Sequence, residues 1–93
     1  MFATIRVYSG NTDLADALVE NESEVKRIIS EIDGFQSYYL VRTADGAASM
    51  SVYEDQAGAA ASDRAAAAWV GENLPELKVT APQTSAGDVL IHF

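Results

Sequence analysis

The segment Phe35-Gln36-Ser37-Tyr38-Tyr39-Leu40-Val41-Arg42-Thr43, then Ala44-Asp45-Gly46, then Ala47-Ala48-Ser49-Met50-Ser51-Val52-Tyr53-Glu54, decides the fold. The first run is rich in aromatic and β-branched residues and reads as a strand. Asp-Gly supplies the positive φ angles of a type I′ turn, the commonest two-residue hairpin connection. The third run is the returning strand. With Asp45 and Gly46 as the loop, Arg42 faces Ser49, Leu40 faces Ser51 and Tyr38 faces Tyr53. On the other side, Val41 faces Met50 and Tyr39 faces Val52. Residues opposed in this way share one face of a sheet.

The flanking elements complete the pattern. Phe2 to Ser9 alternates, with Ala3, Ile5 and Val7 on one side and Phe2, Thr4, Arg6 and Tyr8 on the other. Gly10 and Asn11 break this strand. Leu14, Leu18, Val25, Ile28, Ile29 and Ile32 then recur on a 3.6-residue period, which predicts a helix capped by Asn11 or Thr12. Asn21 and Glu22 interrupt the stripe, so the helix is split or bent there. Gly34 closes it. Asp55 caps a second, alanine-rich helix over 56–74 that ends before Pro75. Residues 77–86 admit a short strand at Leu77 to Thr80 and a loop around Pro82. Gly87 to Phe93 reads as the last strand, with Val89, Ile91 and Phe93 on one face and Leu90 and His92 on the other.

The order βαββαβ predicts an α+β, ferredoxin-like single domain over residues 1–93. Its sheet is four-stranded and antiparallel, in the order 4-1-3-2, with both helices on one face. The apolar set (Ala3, Ile5, Val7, Tyr39, Val41, Met50, Val52, Val89, Ile91, with Phe35) is expected under the helices. That leaves Phe2, Thr4, Arg6, Tyr8, Tyr38, Leu40, Arg42, Ser49, Ser51, Tyr53, Leu90 and His92 on the helix-free face. Three roles suit such a face: a wetted surface, a face-to-face dimer anchored by aromatic and arginine side chains, or the wall of a ligand or catalytic cavity.

Composition narrows the function classes. At roughly 100–200 residues per domain, 93 residues make one domain. The chain carries six basic and fourteen acidic residues, a net charge of −8, and no cysteine. Nucleic acid is not an expected partner, because binding it needs clustered Lys and Arg. An anionic membrane is unexpected for the same reason. A disulfide framework and thiolate metal sites are excluded. The acidic residues of 13–33 read as a solvated helix face. Glu20, Glu22 and Glu24 point about 200° apart in succession on a helix and do not converge on a cation. The start MFATIRVY lacks the pattern of a secretory signal, and the longest apolar run, Ala65 to Val70, is too short to span a membrane. The expected location is the cytoplasm.

The strand and helix order, the segment Gly34-Phe35-Gln36-Ser37-Tyr38-Tyr39-Leu40-Val41-Arg42, the Asp45-Gly46 turn, and the run Ser62 to Trp69-Val70 before Asn73-Leu74 resemble a known group. It is the dimeric α/β-barrel superfamily of small bacterial proteins, which includes the antibiotic-biosynthesis monooxygenase-like domains. The resemblance implies a homodimer whose two sheets close into a barrel. In enzymatic members it implies a pocket between sheet and helices, several of them working without metal, haem or flavin. The haem-degrading constellation is not carried over. Those relatives use an Asn on the first strand, a Trp early in the second helix and a His. Here the first strand offers Arg6, Trp69 lies late in its helix, and His92 stands on the last strand.

The chemistry-bearing residues are therefore Arg6, Tyr8, Tyr38, Arg42, Tyr53, Trp69 and His92, as ligand or dimer-face candidates. Arg6 sits mid-strand between Ile5 and Val7 and needs a carboxylate, a partner chain or an anionic ligand. Trp69 belongs to the apolar side of its helix with Ala61, Ala65 and Ala68. His92 has the pKa range of a general base, yet a lone histidine beside the C-terminus is more often structural or exposed. No Gly-x-Ser-x-Gly elbow, P-loop or dinucleotide fingerprint is present. No catalytic constellation is identified, and neither a metal nor a cofactor is expected. Two functions follow: a homodimer with a structural or small-molecule-binding role, or a cofactor-independent monooxygenase-like enzyme acting on an aromatic or polyketide-like substrate.

Overall fold

The computed structural model describes all of residues 1–93 and has the expected order with one helix divided. The elements are β1 (Phe2–Tyr8), α1 (Leu14–Glu20), α2 (Glu22–Ser30), β2 (Phe35–Thr43), β3 (Gly46–Tyr53), α3 (Gln56–Asn73) and β4 (Gln83–Asp88). All strand pairs are antiparallel, in the order β2-β3-β1-β4. The division of the first helix falls at Asn21, whose side chain turns back to donate to the Ala17 carbonyl at 2.8 Å rather than capping α2. Asp55 caps α3 as expected, its carboxylate accepting from the Gly58 amide at 3.1 Å.

The faces of the sheet are the reverse of the expectation. The helices cover Thr4, Arg6, Tyr8, Tyr38, Leu40, Ser49, Ser51 and Tyr53, and Arg6 is only 2% exposed. Arg6, Tyr8, Tyr38 and Tyr53 therefore do not form a helix-free face. Ile5, Val7, Tyr39 and Val41, expected in the core, stand on the open face instead, with Tyr39 56% and Val41 55% exposed. Strand alternation determines which residues share a face but not which face the helices choose. With the polar-aromatic set buried, α3 brings the Asp63 carboxylate to Arg6. Small residues on that helix let it sit close. A Cβ on Gly58 would stand 2.9 Å from the Tyr53 ring.

The hairpin also differs. Thr43 pairs with Gly46, so Ala44 and Asp45 form the loop, and Leu40 opposes Ser49, Tyr39 opposes Met50 and Val41 opposes Ala48. The offset is two residues, so the side chains of β2 from Ser37 to Thr43 keep their faces. Gly46 does not have a positive φ. Its lack of a side chain serves another purpose, because a Cβ there would collide with the Tyr8 carbonyl oxygen. Between Phe35 and Ser37 the register slips. That irregularity turns Phe35 to the helix side, away from Tyr39 and edge-on to Tyr53 at a centroid distance of 5.8 Å.

The last strand lies earlier than expected. β4 runs from Gln83 to Asp88, and beyond it only the Val89 amide continues the ladder, donating to the Met1 carbonyl at 2.9 Å. Leu90, Ile91, His92 and Phe93 are exposed. In place of a strand at Leu77 to Thr80 there is a 3-10 turn over Pro75–Leu77, closed by Lys78 at φ 52°. No helix is long and apolar enough to cross a membrane.

Candidate functional site

Arg6 is the centre of a polar cluster between β1, β3 and α3. Its Nε donates to Ser49 Oγ at 3.2 Å and its Nη2 to Ser51 Oγ at 2.9 Å. Its Nη1 donates to Ser62 Oγ at 3.2 Å and forms an ion pair with Asp63 Oδ1 at 2.8 Å. Thr4 Oγ1 donates to the same carboxylate at 2.9 Å. A guanidinium has five N–H donors and no acceptor, so burying it here requires this ring of hydroxyls and one negative charge. Register supplies the ring. Arg6 is the partner of Ser49 and Thr4 the partner of Ser51 across the β1–β3 ladder, while Ser62 and Asp63 come from the middle of α3.

Beside this cluster a cavity of about 20 Å³ is lined by Arg6, Tyr8, Tyr38, Ser49 and Trp69 together with apolar residues of α1, α2 and α3. It shares Leu18, Val25, Ile29 and Tyr38 as a wall with a larger, open cleft of about 470 Å³ between α2 and β2. Phe35, Leu40 and Val19 complete the apolar lining of the cleft, and Glu22, Lys26 and Ser30 stand along its edge. Its volume lies in the range of small-molecule sites, roughly 300–1,000 Å³. Trp69 is 6% exposed, and its Nε1 is a buried polar atom without a hydrogen-bond partner. Leaving such a donor unpaired costs about 1–3 kcal/mol. The inner cavity has room for about one water or one ligand atom.

Burial pushes the Tyr8, Tyr38 and Tyr53 phenols above the ordinary tyrosine pKa, and in each the nearby Arg6 charge opposes the shift. The hydroxyls are thus neutral donors at physiological pH. The Tyr53 hydroxyl donates to the Ile29 carbonyl at 2.8 Å, which ties β3 to α2. The shift carries a stability consequence. Phenols of the unfolded chain ionise near pH 10, and above that pH the unfolded state has lost protons that the folded state retains. Stability is therefore fully present below about pH 10 and falls as pH rises through and beyond it. Urea unfolding midpoints measured across alkaline pH are expected to stay level to about pH 9.5 and then fall. The fall is expected to be smaller in Tyr38→Phe, and an identical fall in that variant would remove Tyr38 from this account.

Of the seven candidate residues, Arg6, Tyr8, Tyr38 and Trp69 line the inner cavity, and Tyr53 lies buried beside them. Arg42 does not join them. It is exposed and pairs with Asp16 at 2.7 Å. His92 lies in the exposed segment beyond β4. Asp63, the counter-charge of Arg6, was not among the candidates. Its signal was the Ser62-Asp63 pair inside an alanine-rich helix, at helical spacing from Gly58, Ala59, Ala66 and Trp69. No group of three His, Cys, Asp or Glu side chains converges as a metal site.

No protein-family model matches the chain, and no curated protein sequence matches it. Solved structures do. The heme-degrader MhuD from Mycobacterium tuberculosis, solved with two hemes bound in its active site, superposes with a TM-score of 0.73 at 14% identity, covering 100% of this chain and 99% of that one. A putative antibiotic biosynthesis monooxygenase from Nitrosomonas europaea gives 0.71 at 18% identity, covering 98% and 100%. The monooxygenase ActVA-Orf6 of Streptomyces coelicolor, in complex with Nanaomycin D, gives 0.61 at 20% identity, covering 98% and 91%. A histidine-ligated haem does not fit the residues present, because His92 is the sole histidine and no histidine lines the cavity or the cleft. At these identities the likeness is one of fold: the chain has the ferredoxin-like α+β fold of the antibiotic-biosynthesis-monooxygenase and heme-degrader dimeric α/β-barrel structures.

Proposed function

We propose that this protein binds an aromatic small molecule in the cleft between α2 and β2, with a hydrogen-bond acceptor of the ligand reaching the inner cavity. The observation that carries this reading is Trp69, which stands in the wall of the inner cavity with its buried Nε1 unpartnered, beside an open and largely apolar cleft. Apolar walls with a few convergent polar groups are the usual form of a ligand site. The ligand class that matches is a flat ring system with a carbonyl or quinone oxygen, because Trp69 Nε1 and the Tyr8 and Tyr38 hydroxyls are all able to donate to it.

The proposed assembly is a homodimer joined through the open sheet face. Ile5, Val7, Tyr39 and Val41 make an exposed apolar patch on the strands, and contiguous patches of this kind mark interaction surfaces. The aromatic-substrate monooxygenase activity remains the second reading. It is favoured by Tyr8, Tyr38 and Trp69 lining one cavity and by the fold shared with a monooxygenase solved in complex with Nanaomycin D.

Trp69 is the only tryptophan, so its emission reports on the site directly. Titration with naphthoquinone, followed by emission and by calorimetry, is expected to give saturable quenching with a matching heat of binding. Leu40→Trp, which fills the outer cleft, is expected to abolish the heat. Non-saturating quenching without heat would overturn the ligand reading. Protein-dependent oxygen uptake with a naphthol separates the two functions: a cofactor-independent monooxygenase converts naphthol and dioxygen to naphthoquinone and water, with one labelled oxygen atom entering the product, and binding alone does not.

A further inference from the structure

The cleft has a charged edge that the aromatic-ligand reading does not use. Lys26 is one of only two lysines in a chain of net charge −8, and it stands at this cleft. The ion pairs of the fold are Arg6–Asp63, Arg27–Glu31 and Arg42–Asp16, and Lys26 belongs to none of them. Glu22, one helical turn earlier on α2, shares the edge without reaching pairing distance. Between this ammonium and the inner cavity lie Val25, Ile29, Phe35, Tyr38 and Leu40, an apolar span without a charged group. The cleft therefore has a cation at its edge, Lys26, and adjoins an inner cavity walled in part by Trp69, whose buried Nε1 has no partner.

We infer that the ligand is a carboxylate: a flat ring system whose carbonyl oxygen enters the inner cavity and whose acid group pairs with Lys26 at the cleft edge. This inference rests on the aromatic-ligand reading and deepens it. Glu22 acts against the acid group, so the selectivity is a balance of two side chains on one face of α2. Because the pair is solvent-exposed, its effect is modest and weakens with salt.

The test compares an anthraquinone carboxylate with its methyl ester by calorimetry at low ionic strength. The acid is expected to bind about 3–5-fold more tightly than the ester. Lys26→Met is expected to erase that preference, so that the variant binds acid and ester alike, and Glu22→Gln to enlarge it about 2-fold. Equal binding of acid and ester by the wild-type protein overturns the inference and leaves the aromatic-ligand reading standing. Absence of binding by either compound overturns both. Lys26 and Glu22 are exposed, so neither substitution threatens the fold.

Discussion

Asp63→Ala is expected to destabilise the folded chain by about 3–5 kcal/mol, the range for removing one partner of a buried ion pair. The cost arises because Arg6 would remain 2% exposed with three serine hydroxyls and no negative charge. A domain of this kind has about 5–15 kcal/mol in all, so the variant would sit near its unfolding transition. Asp63→Asn keeps an acceptor for Arg6 and Thr4 without the charge and should lose less. The double variant Arg6→Met with Asp63→Ala should recover part of the loss, since no buried charge is then left unpaired. Urea unfolding of the wild type, both singles and the double gives the coupling energy directly. A loss below about 1 kcal/mol for Asp63→Ala would mean that water reaching the partly exposed Asp63 side already neutralises Arg6.

Val41→Glu is expected to convert a dimer into a folded monomer, weakening association by about 100-fold or more. Val41 is 55% exposed in the single chain and lies on the same open face as Ile5, Val7 and Tyr39. A carboxylate there costs the isolated chain little, because water solvates it. In a sheet-to-sheet contact it is desolvated without a partner, and symmetry introduces it twice. Sedimentation equilibrium should give twice the chain mass for the wild type and the single chain mass for the variant. Thermal unfolding of the variant at low concentration should match that of dissociated wild type. A wild-type monomer at every concentration would remove the second copy as the occupant of this face.

The local features of the fold were readable because they depend on neighbours along the chain. Asn21 interrupts an apolar stripe and divides the helix, and Asp55 caps α3 through the Gly58 amide three residues away. β4 was not readable for the opposite reason. Gln83-Thr84-Ser85-Ala86-Gly87-Asp88 has no apolar alternation, and it becomes a strand by pairing with β1 from Phe2 to Val7. The more strand-like Val89-Leu90-Ile91-His92-Phe93 lies beyond that partner and carries one ladder bond. At the site, Arg6, Tyr8, Tyr38 and Trp69 are chemistry-bearing already in the sequence, whereas Asp63 and Lys26 were not among the candidates.

From its residues alone, this chain determines its element order, its strand directions, and the two sets of side chains of β1, β3 and β2 from Ser37 onward that share a sheet face. Those sets survive even a two-residue offset in the hairpin, because Cβ direction repeats every second residue. Only the tertiary structure decided which set is buried. Arg6 meets Asp63 across 57 positions of sequence. A buried arginine is tolerable only where a carboxylate and enough hydroxyls converge on it. That convergence makes the polar-aromatic face tolerable under the helices, where Tyr8, Tyr38 and Tyr53 pack with apolar side chains of α1, α2 and α3, and the apolar set is left on the open face.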